Sequence, residues 1–307
     1  MSFGQAHAKI ILMGEHSVVY GYPAIAIPFI MGTIETNITD GHEDLFLDSL
    51  LFQGLLSEVP KSLDNIRQLI ETLCDFFNYT KRDLYFNITS NIPPQRGLGS
   101  SAAVAVSIVR AVFRYFSREL SVDELLTWVH VAETIAHGNP SGLDGLITAT
   151  HKPIYYVKNQ PFKDFVIAGK AYLVIADTGL QGQTRQAVQH LSQLLETEKD
   201  RYTPYLQKLG EASQQSLEAL RIGDFDQLGS LMNLAHKYLK QCQVSHEKLD
   251  ELVEIALAAG ALGAKMTGGG MGGCIIALAR DQQQALAIEQ ALQNNAVQTW
   301  ITALADD

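Results

Sequence analysis

A glycine-rich turn that leads directly into an apolar helical stretch is the segment best suited to chemistry. It runs from Pro93 to Ala103 and contains Gly97, Gly99 and the adjacent serines Ser100 and Ser101. Glycines let a backbone approach an anion closely, and the N–H groups of a first helical turn point towards that anion. The segment lacks the Gly-Lys-Ser/Thr ending of a Walker A loop. It therefore predicts a phosphate-binding loop of another type, with a plain loop and a serine N-cap as the alternative.

Two carboxylates follow in an order that suits metal binding and proton transfer. Glu133 lies in a predicted helix over 122–137, and Asp144 follows an Asn-Pro-Ser-Gly turn 11 residues after Glu133. Tight turns of this kind fix a side chain at the edge of a site. One carboxylate could hold a metal ion while the other accepts a proton. The alternative is that Asp144 is a loop residue that caps the next helix.

A lysine lies in an otherwise apolar strand near the start of the chain. Lys9 belongs to the run 8–12, and Gly14, Glu15 and His16 follow at the end of that strand. An ammonium group on a core strand must reach a carboxylate, a phosphate or water. The alternative is a lysine on an edge strand, followed by a polar turn.

A second glycine-rich segment lies between two predicted strands near the end of the chain. It spans Lys265 to Cys274, with five glycines in the six positions 268–273. Such a loop can come close to a ligand or to another backbone. A purely structural turn is the alternative.

The elements that must position these residues predict an α/β architecture. Periodicity indicates strands at 8–12, 24–39, 84–88, 172–176, in a strand–loop–strand unit over 264–279 and near 296–303. It indicates helices at 63–77, 102–116, 122–137, from 184 to about 259 with a break near Gly223, and near 281–293. We predict two domains, 1–168 and 169–307, with a cleft between them. Small-molecule sites often lie in such clefts.

Composition limits the classes of function. The 307 residues carry a formal net charge of −10, so the chain lacks the broad basic surface that nucleic acid requires. No apolar run approaches the roughly 20 residues of a membrane span, and residues 1–5 do not resemble a signal peptide. The three cysteines, which lie far apart, suggest neither a disulfide framework nor a zinc site. We expect a cytoplasmic enzyme.

Taken together and in this order, the segments resemble the signatures of the superfamily of galacto-, homoserine, mevalonate and phosphomevalonate kinases. The loop from Pro93 to Ala102 is similar to its Pro-x-x-x-Gly-Leu-Gly-Ser-Ser-Ala motif. The segment 15–21, the turn 138–144 and the segment 265–274 resemble the mevalonate kinase branch. A galactokinase would carry a Gly-Glu-His-Thr-Asp-Tyr type sequence, which this chain lacks. The resemblance spans residues 7–274.

The resemblance implies a fold and a reaction. The fold would combine an N-terminal domain like the second domain of ribosomal protein S5, which holds the ATP phosphate loop, with a ferredoxin-like C-terminal domain that completes the substrate cleft. The reaction would be ATP-dependent phosphorylation of the primary hydroxyl of mevalonate to give 5-phosphomevalonate, in isoprenoid precursor synthesis. Mg²⁺ would be the cofactor, ATP and mevalonate the small-molecule partners, and a homodimer is compatible with the family.

The resemblance also implies catalytic roles for two residues. Asp144 would be the catalytic carboxylate, and Lys9 its cationic neighbour. A lysine beside that aspartate would keep the carboxylate ionised and ready to accept the hydroxyl proton. The chain departs from the family at Gly145, where Asn or Ala is more usual, and we expect a looser backbone there.

Binding roles follow from the same resemblance. Ser101 and Glu133 would be the Mg²⁺ ligands. His16 would contact mevalonate, and Thr184 is a further candidate for substrate binding. The triphosphate cradle would consist of Gly97, Leu98, Gly99, Ser100 and Ser101.

Two other functions are weighed against this one. A phosphomevalonate kinase, or another small-molecule kinase of the superfamily, would need extra basic residues for a phosphorylated substrate, and Arg185 and Arg96 are the main candidates. A catalytically inactive sensor of nucleotide or metabolite would be expected to lack Asp144, Lys9 or Glu133, and all three are present.

Overall fold

The computed structural model describes residues 2–137 and 142–304, with the backbone alone at His137. Its helices in these ranges are α1 (Asp64–Phe76), α2 (Ser100–Tyr115), α3 (Val122–His137), α4 (Leu143–Thr150), α5 (Thr184–Thr197), α6 (Lys199–Ile222), α7 (Phe225–Gln241), α8 (Glu247–Ala258) and α9 (Gln282–Leu292). Its strands are β1 (Ser2–Met13), β2 (Ala24–Asp40), β3 (Phe46–Ser49), β4 (Phe52–Leu55), β5 (Leu84–Ser90), β6 (Ile154–Tyr156), β7 (Lys163–Asp164), β8 (Tyr172–Asp177), β9 (Gly263–Thr267), β10 (Cys274–Ala279) and β11 (Gln298–Ala303).

The first of two compact units comprises residues 1–9, 32–94 and 99–151. Its strands follow the order β4-β3-β5-β2, with β1 paired to β2. Strand β5 runs antiparallel to the second half of β2, from Ile34 opposite Ser90 to Asp40 opposite Leu84. Strand β3 runs parallel to β5 and forms a hairpin with β4. This unit contains the predicted catalytic residues, Lys9 and Asp144, and the predicted Mg²⁺ ligands, Ser101 and Glu133.

Four helices, α1 to α4, pack on one another in this unit. Helix α1 buries a single stripe of side chains at helical spacing, which is the amphipathic pattern expected of a surface helix. Helix α2 is buried on most of its circumference, and small alanines allow its neighbours to approach closely. The two helices that carry Ser101 and Glu133, α2 and α3, are therefore held by core packing.

The second compact unit comprises residues 10–31, 95–98 and 152–307. It contains an antiparallel sheet in the order β11-β8-β10-β9. Strands β9 and β10 are fully buried, and their register places Cys274 opposite Thr267. Helices α7, α8 and α9 pack on this sheet, while α6 packs on α7. The first part of β2 and the short strands β6 and β7 also belong to this unit.

Most predicted elements are present at about the predicted positions. The predicted break in the long helical stretch occurs at Gly223, where φ is 74° and α6 ends, and Asp224 then caps α7 through the Gln227 N–H. Two further breaks, at Glu198 and over 242–246, were not predicted. Ser121 Oγ accepts a hydrogen bond from the Glu124 N–H at the start of α3. Among the described helices, none is long and apolar enough to cross a membrane.

Candidate active site

Lys9 and Asp144 form an ion pair within the first unit. Lys9 Nζ lies 3.0 Å from Asp144 Oδ1, and the two side chains are 2% and 34% exposed. Strand β1 supplies the lysine, and the first turn of α4 supplies the aspartate. Gly142 rather than Asp144 is the N-cap of α4, so the aspartate side chain points to a cation instead of capping the helix. The buried ammonium thus has the carboxylate partner that its position on a core strand requires.

Gly99 makes room for the lysine side chain. A Cβ atom built on Gly99 would lie 2.6 Å from Lys9 Cγ and 2.7 Å from Lys9 Cε. The residue also has φ of 72°, in the left-handed region that side chains disfavour. The glycine that ends the predicted phosphate loop therefore also fixes the path of Lys9 towards Asp144.

Ser101 and Glu133 form a second polar contact in the same unit. Ser101 Oγ donates a hydrogen bond of 2.8 Å to Glu133 Oε1. Burial, together with the negative charge of Asp144, raises the pKa of Glu133 to about 7, although Ser101 and Lys9 act in the opposite direction. The carboxylates of Glu133 and Asp144 are therefore close enough to repel each other. A cation between them would relieve that repulsion.

The predicted phosphate loop ends at the N-terminus of α2. The helix begins at Ser100 after Gly99, and the N–H groups of its first turn have no acceptor within the helix. Residues 95–98 belong to the second unit, where a Cβ on Gly97 would lie 2.9 Å from the Thr267 carbonyl oxygen. The two glycine-rich segments therefore lie in backbone contact, which only residues without side chains permit.

His16 and Thr184, the predicted substrate contacts, meet at one peptide of the second unit. His16 Nε2 lies 3.0 Å from the Gly269 carbonyl oxygen. A Cβ on Gly269 would overlap Thr184 Oγ1, at the start of α5. His16 is buried with φ of 61°, and burial, assisted by the Lys265 charge, lowers its pKa to about 4 despite the Gly269 hydrogen bond. The imidazole is therefore neutral near pH 7.

Comparison with known proteins matches both halves of the chain. A family model described as the GHMP kinases N terminal domain matches residues 64–152, and one described as GHMP kinases C terminal matches residues 216–298. A mevalonate kinase of Thermococcus gammatolerans is 36% identical over 308 residues, which cover 92% of this chain and 90% of that protein. The chain belongs to the mevalonate kinase family.

Solved structures of mevalonate kinases have the same fold. The L. major mevalonate kinase, crystallised in complex with R-mevalonate, aligns with a TM-score of 0.86 at 26% identity, covering 100% of this chain and 97% of that chain. The mevalonate kinase of methicillin-resistant Staphylococcus aureus aligns with a TM-score of 0.78 at 31% identity, covering 99% of each chain. The predicted α/β kinase fold with two domains and the predicted enzyme class are confirmed.

Other predictions are not tested by these observations. The boundary between residues 168 and 169, the roles of the site residues and a homodimer all stay predictions. The turn residues Gly138 to Ser141, which resemble the mevalonate kinase motif, lie outside the described residues.

Gly145, the departure from the family pattern, has a packing reason in this chain. A Cβ there would lie 2.9 Å from Val129 Cγ1 on α3.

A buried pair, Lys265 and Glu15, was given no role by the sequence patterns. Lys265 Nζ contacts Glu15 Oε1 and donates to the Met266 carbonyl oxygen at 2.7 Å, and both charged side chains are fully buried. Burial lowers the pKa of Lys265, while Glu15 acts to raise it. The signal was present, because Lys265, like Lys9, is a charged residue within a largely buried strand. This pair holds the turn that contains His16 against strand β9.

A further missed pair lies at the phosphate loop. Arg96 Nε donates to Asp177 Oδ2 at 2.9 Å, and the Asp177 side chain is 1% exposed. The other oxygen of Asp177 accepts the Gly179 N–H at 2.8 Å. An arginine within a phosphate-binding loop suggests a ligand contact, and in this chain it makes a contact that anchors residues 95–98 to the end of β8.

Proposed function

We propose that this kinase transfers the γ-phosphoryl group of ATP to the primary hydroxyl of mevalonate, with Asp144 and Lys9 at the reacting atoms. Family membership supports the substrate and the reaction. The ion pair between Lys9 and Asp144 is the single observation that carries the chemistry. A buried cation beside a partly exposed carboxylate places a proton acceptor and a positive charge for the transferred group at the same point.

In this proposal, Asp144 accepts the proton of the attacking hydroxyl. About a third of its side chain is exposed, so a substrate hydroxyl can reach the carboxylate, whereas Lys9 stays buried behind it. As the hydroxyl oxygen attacks the γ-phosphorus, its proton passes to Asp144, and the bond from the γ-phosphorus to the bridging oxygen breaks to leave ADP. Phosphoryl transfer depends mainly on positioning and charge neutralisation. The Lys9 ammonium offsets negative charge at the transferred group.

The residues around Ser101 fit a magnesium ion that arrives with the nucleotide. Mg²⁺ prefers oxygen ligands and usually uses one or two carboxylates plus phosphate oxygens. Ser101 and Glu133 offer such oxygens, and because burial and the Asp144 charge raise the pKa of Glu133, a cation bound there would stabilise its ionised form. Among the described residues, no group of three or more His, Cys, Asp or Glu side chains is arranged to hold a metal ion, so phosphate oxygens would complete the ligand set. Bound there, Mg²⁺ would neutralise charge on the phosphates.

His16 would bind the substrate through its Nδ1 atom. A carbonyl oxygen can only accept, so the contact with Gly269 assigns the proton to Nε2. With a pKa of about 4 the ring is neutral, which leaves Nδ1 as an acceptor. Nδ1 is buried and makes no hydrogen bond to any residue that the structure describes. We propose that it accepts a hydrogen bond from mevalonate, and that Thr184 adds a hydroxyl contact.

A phosphomevalonate kinase is the competing function. It would need cations for the extra phosphate, and Arg96 is one of the two candidates in the sequence. Its guanidinium is bound to the buried carboxylate of Asp177, which already offsets its charge. This pairing favours mevalonate as the acceptor.

A coupled assay of ADP release tests the function directly. Mevalonate, phosphomevalonate, homoserine and galactose are offered separately with Mg-ATP. We expect turnover with mevalonate and none above background with the other three. Turnover with phosphomevalonate and none with mevalonate would overturn the substrate while leaving the fold family intact.

A further inference from the structure

Arg110 joins the two elements that carry the Lys9–Asp144 pair. From the middle of α2, Arg110 Nη1 donates to the Gln5 carbonyl oxygen on β1 at 2.7 Å. Its Nη2 donates to the Ala149 carbonyl oxygen at the end of α4, at 2.9 Å. We propose that Arg110 is a positioning residue for phosphoryl transfer, which holds β1 and α4 at the separation that sets Asp144 against Lys9. This inference rests on the proposed role of Asp144.

Helix α4 depends on such an external contact. It has eight residues, and helices of that length are marginal in isolation. Ala149 is among its last four carbonyl groups, which have no partner within the helix. A cationic side chain at a helix C-terminus can donate hydrogen bonds to these carbonyl groups, and its charge interacts favourably with the helix dipole. Arg110 therefore stabilises α4 at the end opposite Asp144.

The contact is near enough to the ion pair to control it. Asp144 precedes Ala149 by five residues, about 7.5 Å along a helix. Lys9 follows Gln5 by four residues, about 13 Å along a strand. Because these separations are short, a shift of β1 relative to α4 at Arg110 alters the distance between Lys9 and Asp144. Displacements of about 1 Å in a catalytic group can cost up to about 100-fold in rate.

Two histidines reinforce the same junction. His151, directly after α4, places Nε2 3.3 Å from Arg110 Nη1. Its ring also packs edge-on against His7 of β1, with the ring centroids 4.9 Å apart. The end of α4 thus meets β1 both through the guanidinium and through ring packing, and Arg110 takes part in the first of these contacts.

Arg114 offers a matched control on the same helix. It lies one turn after Arg110 and donates from Nη1 to the Phe3 carbonyl oxygen of β1, at 2.8 Å. Arg114→Met removes one hydrogen bond between α2 and β1, whereas Arg110→Met also removes the bond to α4. Comparing the two variants separates general loosening of the unit from the specific placement of α4.

The test measures kcat, KM for ATP and melting temperature for both variants, alone and in the Asp144→Asn background. We expect Arg110→Met to lower kcat by about tenfold or more, with KM for ATP within about twofold and a melting temperature below that of Arg114→Met, because the contacts to Ala149 and His151 are lost as well. In the Asp144→Asn background the Arg110→Met loss should disappear, since there is no catalytic carboxylate left to position.

Three outcomes overturn the inference. The first is a kcat for Arg110→Met equal to that of Arg114→Met. The second is a loss that appears undiminished in the Asp144→Asn background. If Arg110→Met does not fold, Arg110→Lys replaces it in the test. One ammonium group cannot reproduce the planar contact with two carbonyl groups. Normal turnover of a folded Arg110→Lys is therefore the third outcome. Normal turnover of Asp144→Asn itself would instead remove the proposed role of Asp144.

Discussion

In the proposed mechanism, metal binding and pH are coupled at Glu133. Its pKa of about 7 in the metal-free protein means that it takes up a proton as pH falls from 8 to 6. Mg²⁺ would bind the ionised carboxylate, so protons would compete with the metal. We expect the Mg²⁺ concentration needed for half-maximal turnover to rise as pH falls through 7. In Glu133→Gln the Mg²⁺ requirement should be higher than in the parent at every pH, and it should no longer rise as pH falls through 7.

Two companion variants complete that measurement. Ser101→Ala should also raise the Mg²⁺ requirement, because it removes the hydroxyl that contacts Glu133. Glu124→Gln, which changes a carboxylate on the same helix paired with Arg118, should titrate with Mg²⁺ like the parent. Parent-like Mg²⁺ titrations for both Ser101→Ala and Glu133→Gln would show that these residues are not the metal ligands.

The loop between β9 and β10 is the element that sets the geometry around His16 and Thr184. Gly269→Ala places a methyl group against Thr184 and must shift the loop or the start of α5. We expect KM for mevalonate to rise by about tenfold, equivalent to about 1.4 kcal/mol of lost substrate binding. KM for ATP should change much less.

Gly182→Ala is the control for that element. Its added Cβ would lie 3.4 Å from the Gln95 carbonyl oxygen, an ordinary contact, and it lies two residues before Thr184. This variant should keep KM for mevalonate near the parent value. Equal effects of the two substitutions, or a rise in KM for ATP alone, would contradict the placement of mevalonate at this loop.

Elements with strong periodicity could be predicted from sequence, and elements without it could not. Helix α1 spans Asp64–Phe76 against a predicted 63–77, because its apolar stripe repeats every three to four residues. Strand β1 begins at Ser2, whereas the pattern indicated residue 8. Its inward positions before Lys9 are Ser2, Gly4, Ala6 and Ala8, which add little apolar area and so leave a weak alternation. The α5–α6 break at Glu198 has no glycine or proline to mark it.

The residues of the candidate site were likewise predictable only where a local sequence pattern marked them. Lys9 was recognised because a charged residue in an apolar strand requires a partner, although the partner's identity came from the family resemblance. Lys265 and Glu15 are 250 residues apart in sequence, and no local pattern pairs them. Arg110 was hidden because an arginine on a helix face is usually a surface residue, and its two carbonyl acceptors appear only in three dimensions.

The whole molecule carries buried histidines that make its stability sensitive to acid. Burial lowers the pKa of both His16 and His236 to about 4, although the Asp250 charge acts to raise that of His236. Unfolded histidines titrate near 6.5, so the unfolded state binds more protons between pH 6.5 and 4. Stability is therefore complete above pH 6.5 and falls as pH decreases towards 4. Each histidine contributes about 2 to 3 kcal/mol to that loss by pH 4.5.

Urea unfolding at pH 7 and pH 4.5 measures this loss. His236 lies outside the proposed site, so His236→Gln separates stability from activity. We expect the drop in unfolding free energy between the two pH values to be about 2 to 3 kcal/mol smaller in His236→Gln than in the parent. The exposed His130→Gln should behave like the parent. An unchanged drop in His236→Gln would mean that this histidine is already protonated in the folded state at pH 4.5.

The most direct test of the proposed mechanism compares the kcat of Asp144→Asn with that of Asp123→Asn. Both aspartates are the second residue of a helix, and each carbonyl oxygen accepts a hydrogen bond of 2.9 Å from a threonine four residues later. They differ in that Asp144 faces Lys9. We predict that kcat falls by at least about 100-fold in Asp144→Asn, with ATP affinity nearly unchanged, and that Asp123→Asn keeps the parent kcat. Parent-like turnover of a folded Asp144→Asn would contradict the claim that this carboxylate accepts the substrate proton.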